Sequence, residues 1–303
     1  MIKRTLYFGN PAYLKTAHEQ LIVQFPSDPE KKETVPIEDI GLIVLDHGQI
    51  TITQCLMARL LEQNVALVTC DGTHHPAGMF FVLEGNTLQS QKHQAQVNAS
   101  LPLRKQLWQQ TVIAKICNQA ALLKEQRVSG SYLTTLATKV KSGDSGNEEA
   151  KAASYYWKRV FPEFLQFSRD RFGTAPNNLL NYGYAILRAM VARAIVGSGL
   201  LPTLGIHHRN QYNAFCLADD IMEPYRPYVD QVVCEIVRMN GRFLEMTPTM
   251  KRMLLEIPAI DVHLEGRKSP LMVAVSRTTA SLARCFEGEA RKIIYPDMKP
   301  LLS

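Results

Sequence analysis

Residues 91–126 read QKHQAQVNASLPLRKQLWQQTVIAKICNQAALLKEQ, and along them Leu107, Ile113, Ile116, Ala120 and Leu123 line one apolar stripe at the period of an α-helix. Ahead of this segment the pattern is different. Short apolar, β-rich runs at 5–8, 20–25, 41–45, 49–53, 65–69 and 79–83 are parted by the turn residues Gly9-Asn10-Pro11, Pro26-Ser27-Asp28-Pro29, Asp46-His47-Gly48 and Asp71-Gly72. One stretch, TQCLMARLLEQ, sets Leu56, Leu60 and Leu61 at helical spacing behind Thr53 as a cap, a single helix among strands. Beyond 126 the helical period persists. It predicts helices over 131–140, 148–160, 177–196, 219–239, 247–256 and 269–286, broken at KSGDSGN, RFGTAPN, GSGLLPTLG and Asn240-Gly241-Arg242, with YPDMKPLLS as an irregular tail.

The fold class is therefore α+β: a small N-terminal β-sandwich-like domain over 1–90, then a larger, all-helical domain over 91–303. The segregation argues against an alternating β-α-β chain, and no Gly-rich phosphate loop follows a strand. With 46% hydrophobic and 20% charged residues over 303 positions, the chain has the composition of an ordinary folded protein. No stretch of 18 uncharged apolar residues occurs and the start MIKRTLYFGN lacks an apolar leader, so the expectation is a cytoplasmic protein without a membrane span. Six cysteines, far apart and without a CxxC pair, read as reduced, buried small hydrophobes. Charge is divided unevenly. Residues 1–91 carry 6 Lys+Arg against 10 Asp+Glu, which leaves 28 against 18 for the remainder and favours a polyanionic partner such as nucleic acid for the helical part.

Three segments hold side chains with chemical potential. In Asn147-Glu148-Glu149-Ala150-Lys151-Ala152-Ala153-Ser154-Tyr155-Tyr156, residues Glu149, Ala152, Ala153 and Tyr156 share one helical face, with Asn147 placed to cap; Glu149 is either a first-turn acid favoured by the helix dipole or a working carboxylate. In GIHHRNQYNAFCLADDIMEPYRP, the carboxylates Asp219, Asp220 and Glu223 fall within about one turn with no lysine or arginine interleaved among them. They form either a solvated acidic turn capped by Asp219 or a cation site. His207 and His208 precede that cluster, and adjacent side chains point apart, so one of the two at most faces a given site. An imidazole with two carboxylates suits Mn2+ or Mg2+ better than zinc. His74-His75, in the Asp71-Gly72 turn region, has no acidic cluster near it in sequence and reads as surface. Tyr156, Trp157, Tyr182 and Tyr184 read as core aromatics, and Lys139, Lys141, Lys151, Lys158, Arg159, Arg209, Arg226, Arg242, Arg291 and Lys292 as candidates for a phosphate-contacting surface.

Taken in order, VPIEDIGLIVLDHGQITIT, VALVTCDG, WQQTVIAKICNQAALL, EEAKAASYYW, NNLLNYGYAILRAMVARAIVGSGLLPTLGIHH and LADDIMEPYRPYVD resemble the CRISPR-associated adaptation integrase, the Cas-one family, along essentially the whole chain. GIHHRNQYNAF ahead of the acidic turn resembles the version that accompanies type II systems. The resemblance implies that Glu149, His208 and Glu223 are metal ligands and catalytic, with Asp220 auxiliary; Ala150 departs from the glycine often found after the first acid, and His207 competes with His208 for the ligand position. It further implies an endonuclease and integrase that uses Mn2+ or Mg2+ to insert short foreign DNA, the spacer precursor, into a CRISPR repeat, working as a homodimer with the Cas-two protein and with no membrane partner. A non-catalytic basic DNA-binding scaffold and a general metal-dependent repair nuclease are the competing readings.

Overall fold

The computed structural model describes residues 3–164, 167–170, 173–241, 243 and 245–298, and the chain divides into two compact units, Met1–Thr87 and Leu88–Ser303. In the first unit β1 (Arg4–Phe8), β2 (Ala12–Ala17), β3 (Gln20–Phe25), β4 (Asp28–Pro36), β5 (Ile40–Leu45), β6 (Ile50–Ile52), α1 (Gln54–Glu62), β7 (Ala66–Cys70) and β8 (Pro76–Phe80) follow one another. They build two four-stranded sheets, ordered β1-β5-β7-β8 and β4-β3-β2-β6. Leu14, Leu21 and Val23 from one sheet, Ile40, Ile43 and Leu67 from the other, and Leu56 and Leu60 of α1 close a common core.

Two strands lie outside the expected runs. β2 and β3 form a hairpin whose turn, His18–Glu19, has both residues at positive φ, a two-residue geometry that ordinarily announces itself with Asn-Gly. β4 is an edge strand rich in charge, which hides it from a search for apolar runs. The unit also contains one parallel crossover, because β5 and β7 pair in parallel with α1, the expected single helix among strands, between them. Thr53 does cap α1, its Oγ1 accepting from the backbone N–H of Leu56.

The second unit contains α2 (Gln89–Val97), α3 (Leu101–Glu125), α4 (Ser131–Lys139), α5 (Glu148–Trp157), α6 (Asn177–Gly197), α7 (Cys216–Met222), α8 (Arg226–Asn240), α9 (Pro248–Leu255), β9 (Asp261–Leu264), β10 (Arg267–Pro270) and α10 (Leu271–Phe286). It is mainly helical but not all-helical: β9 and β10 make a hairpin about Glu265-Gly266, again with both turn residues at positive φ. The expected helix over 219–239 is broken, since Pro224 withholds a backbone donor and a 3₁₀ turn, Glu223–Tyr225, separates α7 from α8. α6 is the one described helix long and apolar enough to cross a membrane, and most of it is buried within this unit. It approaches α8 so closely that a Cβ on Gly183 would meet Val229. Residues 295–298 of the expected irregular tail are pinned to α3, where Asn118 donates to the Pro296 carbonyl and accepts from the Met298 N–H. Of the cysteines, Cys216, Cys234 and Cys285 are buried as expected, whereas Cys55 and Cys117 lie on outward helix faces.

Candidate active site

α5 begins where it does because of Asp144, whose two carboxylate oxygens accept the backbone N–H groups of Glu148 at 2.9 Å and Glu149 at 3.0 Å. Asn147, expected as the cap, has left-handed backbone and no capping hydrogen bond, since the turn that carries Gly143, Asp144 and Asn147 at positive φ leaves Asp144 facing the free donors. Glu149 is thereby set at the helix start. Glu223 opens the 3₁₀ turn after α7 and is buried. The two glutamates converge on a residue that the sequence reading passed over: Lys115, midway along α3, places Nζ 2.7 Å from Glu149 Oε1 and 2.6 Å from Glu223 Oε2. The first contact is a directed hydrogen bond; the second is a close ion pair in which Glu223 Oε2 receives no well-directed donor. Arg226 Nε donates to the other oxygen, Glu223 Oε1, at 2.8 Å.

Charge balance explains the protonation of this group. Burial pushes the Glu223 carboxyl up, but the cations of Arg226 and Lys115 outweigh it and hold the pKa at about 2. Burial likewise works against the Lys115 ammonium, and Glu223 with Glu149 overcomes it, raising Lys115 above the ordinary lysine value. A signal for Lys115 exists in the sequence: it falls at helical spacing with Trp108, Val112, Gln119 and Leu122, all buried, and a lysine on such a seam requires a carboxylate partner.

His208 is oriented by Asp220. The wholly buried Asp220 carboxylate accepts the backbone N–H groups of His207 at 2.9 Å and His208 at 3.3 Å, and its Oδ1 lies 2.5 Å from His208 Nδ1. That hydrogen bond raises the imidazole above its ordinary value, burial opposes it, and the fields of Asp220, Glu223 and Glu149 add to the rise. With Nδ1 engaged, Nε2 is the remaining ring nitrogen. His207 goes elsewhere, stacking face to face on Trp108 with centroids 4.2 Å apart and an interplanar angle of 4°. The acidic cluster of the sequence is thus dispersed: Asp219 meets Arg188 Nε and Asn213 Nδ2, each at 2.7 Å, Asp220 meets His208, and Glu223 meets Lys115 and Arg226. Asp219 is buried and paired, neither solvated nor a cap.

Behind the glutamates, Tyr156 and Tyr184 donate to Asp230 at 2.7 and 2.5 Å, and burial lifts the Asp230 carboxyl to about 6. Tyr156, Tyr182 and Tyr184 are buried as expected. Among the expected phosphate contacts Arg226 is committed to Glu223 and to the Tyr184 ring, so it is withdrawn from that surface. Lys151, Lys158 and Arg159 line a shallow groove with Tyr132 and Tyr155; Lys139, Lys141, Arg209, Arg291 and Lys292 are exposed, and Arg242 lies outside the described residues. In the first unit His74 is not simply surface, because its Nδ1 pairs at 2.8 Å with buried Asp46.

Among the described residues no three His, Cys, Asp or Glu groups already close around one point. The donor chemistry nevertheless fits a hard divalent ion: two carboxylates meet at one cation, and the neighbouring imidazole keeps Nε2.

Residues 6–247 match the family described as CRISPR associated protein Cas1. The chain belongs to the Cas1 family. It is 36% identical to the CRISPR-associated endonuclease Cas1 of Neisseria meningitidis serogroup C (strain 8013), over 99% of this chain and 98% of that one. Among solved structures a casposase bound to integration product superposes with a TM-score of 0.80 at 20% identity, covering all of this chain and 95% of the other. A Cas6-RT-Cas1–Cas2 complex gives 0.73 at 19% identity, with 99% of this chain and 36% of the longer one covered. At such identities these two show that the Cas1 fold is shared.

Proposed function

We propose that this Cas1 chain is a divalent-metal-dependent DNA endonuclease and integrase that inserts short foreign DNA into a CRISPR array by attack of a 3′-hydroxyl on a repeat phosphodiester. The observation that carries this reading is the convergence of Glu149 and Glu223, from separate helices, on a single cation. Glu149, Glu223 and His208 Nε2 would hold Mn2+ or Mg2+. When bound, such an ion polarises the phosphoryl oxygen and stabilises charge on the attacking and leaving oxygens. Asp220 fixes the His208 ring through Nδ1, the outer contact that sets which nitrogen faces outward. Lys115 offsets the charge of Glu149 and, with Arg226, that of the buried Glu223, which these cations hold ionised and ready as a donor.

DNA and a Cas2 protein as partners are supported by what the fold neighbours hold, an integration product in one and Cas2 in the other. Two strand transfers at separated phosphates require two active sites at a fixed distance, so we assign a homodimer, with the acidic N-terminal part, residues 1–90, as the dimer-forming region and the basic helical part facing DNA. The type II-like character of residues 205–215 is compatible with the Neisseria relative.

Strand transfer of a labelled duplex into repeat DNA, with Mn2+ and then with EDTA, tests the reading. Glu149→Ala, His208→Ala and Glu223→Ala should each abolish metal-supported integration while leaving DNA affinity largely intact. Normal integration by any of them removes that residue from the site. DNA binding without strand transfer by the unaltered protein assigns the scaffold reading, and cleavage of branched DNA without joining assigns the repair nuclease.

A further inference from the structure

His208 also borders a cavity. A cleft of about 400 Å³ is lined by Gln96, Arg104, Leu204, Gly205, His208 and Arg209 among others, with no aspartate or glutamate among its described lining residues. Its two guanidinium groups are uncommitted. Arg104, on the first turns of α3, has Nε buried with no hydrogen-bond partner, and neither Arg104 nor Arg209 has a side-chain ion pair among the described residues. A buried donor without an acceptor is costly, and native structures rarely retain one without a ligand or water to meet it. The nearby amide of Gln96 offers nothing, because its nitrogen is spent on the carbonyls of Leu201 and Leu204 and its oxygen on the Leu201 N–H. The fixed charge that remains open in the cleft, on Arg104 and Arg209, is positive. The matching ligand is an oxyanion with several acceptor oxygens, a phosphoryl group above all.

We propose that this cleft is a phosphate seat for DNA, in which Arg104 and Arg209 hold a backbone phosphodiester flanking the one acted on at Glu149, His208 and Glu223. The inference rests on the DNA-acting reading above, and it assigns to Arg104, far from the acidic motifs in sequence, a role in fixing the register of the strand.

The test uses the full-length protein in EDTA, so that no reaction intervenes, and measures affinity for a labelled branched duplex across a series of NaCl concentrations. Arg209→Ala and Arg104→Gln should each lower affinity about tenfold at fixed salt and reduce the slope of log affinity against log salt by about 0.7 to 0.9, the signature of one lost phosphate contact. A neutral methylphosphonate placed at successive positions should find one position that weakens the unaltered protein but not the double variant. Arg209 is exposed, so its variant keeps the test decisive even where Arg104→Gln lowers the melting temperature. Unchanged slopes in both variants overturn the proposal. So does loss of inorganic-phosphate binding with DNA binding intact, since the cleft would then serve a free anion. Reduced slopes in a protein that never transfers strands would leave the seat standing and sink the integrase reading; normal strand transfer with unchanged slopes would do the reverse.

Discussion

The Lys115 ammonium lies 2.6 Å from Oε2 of Glu223, and its other carboxylate neighbour, Glu149, completes a buried cation between two anions. In Lys115→Met the glutamates face each other without that charge. Removing one partner of a buried pair costs about 3–5 kcal/mol, so a large drop in melting temperature is expected in EDTA. Mn2+ should restore more stability to this variant than to the unaltered protein, read by thermal melting with and without the ion. Equal Mn2+ responses would show that the glutamates do not share a divalent ion.

The two histidines should separate by their effect on cleavage. His207→Ala uncovers Trp108 and removes a stacked pair, so tryptophan fluorescence shifts and stability falls by about 1 kcal/mol while metal-dependent cleavage persists. His208→Ala should abolish cleavage; His208 meets Trp108 only edge-on, with centroids 5.8 Å apart, so its loss should move the Trp108 signal less than loss of the His207 stack does. Loss of cleavage in His207→Ala alone would reverse the assignment.

Gly205 faces the Asp220 carboxylate and the His208 carbonyl so closely that an added Cβ would strike both. Gly205→Ala therefore displaces the loop that aims His208. We expect about 1–3 kcal/mol of lost stability from overpacking, and a fall in cleavage rate larger than the lost folded fraction explains. Denaturant melts paired with single-turnover rates make the comparison.

Asp230 introduces a pH dependence of definite sign. Its carboxyl is raised from 3.8 to about 6 by burial, so the folded state favours the protonated form. The resulting stabilisation is complete below the ordinary value and is lost as pH rises through about 6, a change of about 3 kcal/mol for this buried group. Urea melts of Asp230→Asn between pH 4 and 7 should lack that decline. A parallel decline in both proteins would place its origin elsewhere.

Asp144 rather than Asn147 should govern the start of α5. Asp144→Ala frees the N–H groups of Glu148 and Glu149 and should cost about 1–2 kcal/mol, together with weaker DNA cleavage as Glu149 loses its position. Asn147→Gly should be tolerated, because the backbone there is left-handed and the side chain caps nothing.

Most of the architecture was legible because side-chain period is a local property. The stripe through Leu107, Ile116 and Leu123 announced α3, and the apolar runs of β3, β5 and β7 announced their sheets. β2, β4 and the β9–β10 hairpin escaped for local reasons as well: His18–Glu19 is an unusual hairpin turn, and β4 and β10 are charged edges. The site was half visible. Glu149, His208, Asp220 and Glu223 stood out as carboxylates and imidazoles in suggestive order, yet the same residues read equally as caps and solvated turns.

The sequence by itself determined that a strand-rich part precedes a mainly helical one, that the positive charge collects in the helical part, and which segments contain the acids and histidines. Only the tertiary structure decided which charges meet. Lys115 reaches Glu149 and Glu223 through the rotation of α3 about its axis, and Asp220 claims His208 while Trp108 claims His207 through the reversal of one loop. Such pairings join residues far apart along the chain, and the burial that makes them strong does not exist until the helices pack.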